Sequence, residues 1–118
     1  MTNAEFNESF RERTMVFALS IIKFLESVPY NSVTRVLIFQ LGKSGTSIGT
    51  NFRAFCRGRS KNEKFSKICI VVEEADETDY WLTIFSKTEY GDKNDLAWLA
   101  KEALEILKIT SSIKSSLY

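Results

Sequence analysis

Apolar residues return along this chain at steps of three and four, from one end to the other. In the first segment Phe10, Thr14, Phe17, Ile21, Phe24 and Val28 are spaced so that all lie on one helical face. Pro29 cannot continue that helix, and Asn31 or Ser32 can cap the next. The second stripe is Leu37, Leu41, Ser44, Ile48, Asn51 and Phe55, and it runs into Gly58, a residue suited to a C-terminal cap. Ser60 and Glu63 have the spacing of a capping box ahead of the third stripe, Ile68, Val71, Ala75, Thr78, Leu82 and Phe85. A fourth begins near Asp92 and carries Leu96, Leu99, Ala103, Ile106, Thr110, Ile113 and Leu117. No segment alternates at period two. The pattern predicts an all-α fold, an antiparallel up-down-up-down four-helix bundle in one domain spanning residues 1–118. Its helices fall at about 4–28, 32–58, 61–88 and 93–116.

The second helix carries an unusual row. Gly42, Gly45 and Gly49 share a face with Ile38, Phe52 and Cys56. An interior glycine costs about 1 kcal/mol relative to alanine, so close approach of another helix is the expected compensation. The spacing leaves open whether that helix belongs to the same chain or to another subunit. Tyr80, Trp81, Trp98, Phe52 and Phe55 add more aromatic surface than one small bundle is expected to hide, which favours self-association.

Composition removes much chemistry. The 118 residues include no histidine, which excludes histidine acid–base catalysis and most metal sites, and no cofactor is expected. Two cysteines cannot build a disulfide framework, so Cys56 and Cys69 read as reduced packing residues. The opening residues are acidic and polar, unlike a secretory signal. Lys23 interrupts the most apolar run, Met15 to Leu25, so no membrane contact is expected and a cytoplasmic location is.

Two apparent motifs fail. Gly42-Lys43-Ser44 ends like a phosphate-binding loop, but that motif needs a glycine where the chain has Leu37, and a strand leading in. Glu73, Glu74, Asp76, Glu77 and Asp79 cluster as carboxylate ligands could, yet a di-iron bundle also needs Glu-x-x-His pairs. A solvated acidic face is the reading, and no enzymatic activity is expected.

Charge segregation survives these eliminations. Between Arg35 and Lys67 eight basic residues face Glu63 alone, a net of +7, whereas Glu73 to Glu105 carries a net of −7. The overall +1 therefore hides a polarised molecule. Arg57 and Arg59 suit the C-terminus of the second helix, but Lys61 and Lys64 oppose the dipole at the start of the third. An anionic partner would explain them: a nucleic-acid backbone, or an acidic face of a second subunit. Arg53, Arg57, Arg59, Lys61, Lys64 and Lys67 are the candidate nucleic-acid-binding residues.

The run Ser44-Gly45-Thr46-Ser47-Ile48-Gly49-Thr50-Asn51, then Ser60 and Phe65, and then Glu74-Ala75-Asp76-Glu77-Thr78-Asp79-Tyr80-Trp81-Leu82 resembles the four-helix-bundle proteins encoded in intervening sequences of bacterial 23S rRNA genes. That family is similar to the accessory variability protein of diversity-generating retroelements, which works with a reverse transcriptase and binds nucleic acid. The resemblance implies a ring-like homopentamer. Lys43 stands where the family usually has arginine, and Glu74 and Glu77 match its acidic positions, so Lys43 is expected to pair with one of them across a helix or subunit contact. Asn51 is expected to bond backbone or polar neighbours in a helix interface, with Ser44, Gly45, Ser47, Gly49 and Trp81 as interface or structural residues. Ala54 replaces a common glutamate and Phe55 a small residue. The functional expectation is a non-enzymatic oligomer that binds RNA or DNA beside a reverse transcriptase or processed rRNA. The alternative is a protein–protein scaffold with no nucleic-acid role.

Overall fold

The structure is a computed structural model and describes residues 1–117. Four helices make up the fold: α1 (Asn3–Glu26), α2 (Thr34–Cys56), α3 (Lys61–Ser86) and α4 (Lys93–Ser116). Each packs on the next in sequence, and α4 closes the ring against α1. The result is an antiparallel bundle measuring 44 × 25 × 18 Å. Helices of 23 to 26 residues rise about 1.5 Å per residue, which accounts for most of the long dimension.

Local chemistry fixes the ends. Thr2 and Glu5 form a reciprocal capping box at the start of α1. Asn31 Oδ1 accepts from the Val33 and Thr34 amides, so Asn31 rather than Ser32 closes the turn that leads into α2. Ser60 caps α3, but the Glu63 carboxylate reaches the Arg59 amide instead of closing the expected box on Ser60. Asp92 Oδ1 caps α4, and the Asp92 amide donates to Ser27 Oγ, tying the α3–α4 turn to the end of α1. Gly58 is not left-handed, contrary to its expected capping role; that conformation belongs to Gly91, with φ of 85°.

The four stripes meet in one core. Phe17, Phe24, Phe52 and Phe85 are its largest fully buried side chains. Phe24 meets Phe85 edge-on at 5.1 Å, and Phe10 meets Phe52 edge-on at 4.8 Å. Phe52 and Phe55 therefore fill the chain's own core, correcting the expectation that they add exposed aromatic surface. Trp81 is half-buried, and only Tyr80 and Trp98 of the five stand exposed.

The glycine row faces α1 of the same chain. A methyl group added at Gly45 would lie 2.8 Å from Ile21 Cγ1, and one at Gly49 would lie 3.2 Å from Thr14 Oγ1. At Gly42 it would meet Leu25 at an ordinary 3.4 Å. The row thus lets α1 and α2 approach closely within the bundle.

Candidate nucleic-acid interface

The basic residues gather where α2 ends, α3 begins and the first half of α1 runs past. Arg53 in the last turn of α2 and Arg57 at its C-cap lie about one turn apart, both exposed, and Arg59 is exposed in the turn that follows. Among the described residues, no carboxylate lies within 4.0 Å of any of these three guanidinium groups. Two ion pairs stand on the α1–α4 side. Arg13 grips Glu102 through two bonds of 2.7 and 2.8 Å, and Lys23 stands 3.9 Å from Asp95.

Lys64 is engaged within the chain. Its Nζ donates to the Phe55 carbonyl at 3.1 Å and lies 4.9 Å from the Phe55 ring centroid. It stands at the positive end of α3 because it closes the negative end of α2, and that interaction offsets the dipole penalty. Gly58 makes room for it, since a methyl there would sit 2.8 Å from Lys64 Cγ. Lys61 is exposed in the first turn of α3, and Lys67 is half-buried nearly two turns further on.

Arg11 joins this end although it lies outside the basic stretch of sequence. It lines grooves with Met15, Arg53 and Arg57, and its charge reaches Cys56 at the end of α2. A count of charge along the chain cancels Arg11 against Glu8 and Glu12. The signal that could have found it is phase: Arg11, Ala18 and Leu25 step by seven, and Leu25 packs on Gly42 of α2. Burial pushes the Cys56 thiol up, against the partial opposition of Arg11 and Lys64, so it is a poor nucleophile. No group of three cysteine, aspartate or glutamate side chains among the described residues is placed to hold a metal ion. Among the same residues, no helix is long and apolar enough to cross a membrane.

A family model for the 23S rRNA-intervening sequence proteins matches residues 8–112. The chain belongs to that family. A solved structure of a protein of unknown function from the S23 ribosomal protein family of Bacteroides thetaiotaomicron is 28% identical, with a TM-score of 0.80. The match covers 92% of this chain and 97% of that one. No curated protein matches the chain.

The positions that carry the intervening-sequence resemblance lie on the α1–α2 and α2–α3 sides of the bundle. Ser44 and Gly45 are buried, and Gly49 packs on Thr14. Asn51 Nδ2 donates to the Ser47 carbonyl at 2.9 Å, within its own helix, and Ser47 Oγ donates to the Lys43 carbonyl. Among the described residues Lys43 has no carboxylate within 4.0 Å, yet its charge acts on Glu74 across the α2–α3 contact. Desolvation raises the Glu74 pKa, Glu77 adds repulsion and Lys43 partly offsets both. Glu77 accepts a long 3.5 Å bond from Trp81 Nε1 one turn away.

Proposed function

We propose that this chain is a non-enzymatic, cytoplasmic accessory protein that assembles as a homopentameric ring and binds RNA or DNA through backbone charge. The observation that carries the reading is the open basic end: among the described residues, Arg53, Arg57 and Arg59 are exposed without carboxylate partners. A ring repeats that end, so further attachments to one polyanion are effectively intramolecular and weak sites add. Self-association is supported by an apolar row on the outer face of α1. Val16, Leu19 and Ile22 recur at steps of three, and Leu19 is 59% exposed. A reverse transcriptase or processed rRNA is the partner this reading sets beside the ring, following the family likeness.

The test is a fluorescence titration with RNA and DNA oligonucleotides at several salt concentrations. The wild-type chain is expected to bind with micromolar or tighter affinity that falls steeply with salt. The triple variant Arg53→Glu, Arg57→Glu, Arg59→Glu is expected to lose binding and keep its helical content. A scaffold with no nucleic-acid role, the reading the α1 row also allows, gives no binding and a variant whose sedimentation mass changes instead.

A further inference from the structure

We infer that Arg11 of α1 and Arg53 of α2 form the two walls of a phosphodiester-binding groove that Arg57 extends. This deepens the nucleic-acid reading above and rests on it. Two grooves along the α1–α2 contact share Arg11, Met15 and Arg53, so they adjoin at these three side chains. The upper part is also lined by Thr14, Ala18 and Gly49, where the missing side chain of Gly49 lets α2 approach Thr14 of α1. The lower part opens between Arg11, Arg53 and Arg57 toward the basic end.

The state of Arg11 is the telling observation. Glu8 lies three residues back and Glu12 beside it, so Arg11 could pair on its own helix surface at i, i−3. Among the described residues no carboxylate is within 4.0 Å of it, and its side chain lines the groove instead. Arg53, facing it from α2, is also without a carboxylate partner among them. Guanidinium forks on opposite walls can grip phosphate oxygens from two sides, and the apolar Met15 between them suits sugar or base edges. Glu8 and Glu12 also line the mouth and oppose an anion there, so removing their charge should tighten binding.

Arg11→Glu and Arg53→Gln are compared with Lys87→Glu, an exposed position at the end of α3 remote from the groove. Arg11→Glu and Lys87→Glu change net charge equally, so the pair separates a local site from general charge. With RNA and DNA oligonucleotides of equal length at low salt, Arg11→Glu is expected to weaken binding at least about tenfold. The slope of log affinity against log salt should shallow by about 0.7 on single strands, or about 0.9 on duplex DNA, for each phosphate that the variant no longer neutralises. Arg53→Gln should weaken binding several-fold, Lys87→Glu no more than about twofold, and Glu8→Gln with Glu12→Gln should strengthen it. RNA and DNA bound alike would identify the backbone as the ligand; weakening on one only would place the interaction on the sugar. Circular dichroism keeps unfolding from being mistaken for damage to the site. Equal weakening by Arg11→Glu and Lys87→Glu would overturn the groove while leaving nucleic-acid binding intact. A wild-type chain that binds neither oligonucleotide would overturn both, and an Arg11→Glu variant that changes assembly mass would assign the groove to a subunit interface instead.

Discussion

Glu74 is the carboxylate whose surroundings most oppose its charge. Half-buried on α3, its pKa is raised above the ordinary 4.5 by desolvation first and by Glu77 next, with Lys43 pulling the other way. A folded-state pKa above the unfolded value means that the ionised form opposes folding at neutral pH. That opposition fades as pH falls through the raised value. Glu74→Gln is therefore expected to raise the melting temperature at neutral pH and to leave it nearly unchanged in acid. Lys43→Glu should lower it at neutral pH, with the penalty shrinking in acid and partly rescued by Glu74→Lys. Melting curves across that range check both, and a Lys43→Glu penalty independent of pH would contradict the coupling. The charge at Lys43 and the acidic positions opposite were legible in the sequence; the separation that leaves them unpaired was not. It depends on the rotational phase of α2 against α3, which the stripes fix only to within one helix face. The Arg13–Glu102 clamp was missed for the same reason, since its partners stand 89 residues apart.

At the scale of the elements, the four stripes made the bundle readable, because a helix of this length buries one face whatever its neighbour. The glycine row was visible as a cost whose compensation had no address. The structure supplies it, and the three positions differ. Gly45 packs against fully buried Ile21, so Gly45→Ala forces overlap that outweighs its propensity gain and should destabilise by about 1–3 kcal/mol. Gly42→Ala meets only Leu25 at van der Waals distance and should stabilise by up to about 1 kcal/mol. Denaturant unfolding measures the pair, and the same sign for both would refute the packing account. Lys64 shows the opposite lesson. A lysine at a helix N-terminus reads as a ligand-binding cation in one dimension, yet the turn at Gly58 folds it onto the end of the preceding helix.

Across the whole molecule, the separation of charge along the sequence becomes a separation in space because the chain doubles back every two dozen residues. Six of the eight basic residues, Arg53 to Lys67, straddle the α2–α3 turn and collect at one end, while Arg35 and Lys43 lie further back along α2. The acidic residues of α3, from Glu73 onward, lie further along the bundle from that turn. One end of a 44 Å bundle carries a small field by itself, and the account depends on copies of that end acting together on one strand. Sedimentation velocity of the chain with a labelled RNA oligonucleotide at low salt tests this most directly. The account predicts that protein and label move together as a particle built on about five copies of the 13.5 kDa chain, and that the label leaves as salt rises. A 13.5 kDa species sedimenting apart from the RNA at every salt concentration would contradict it.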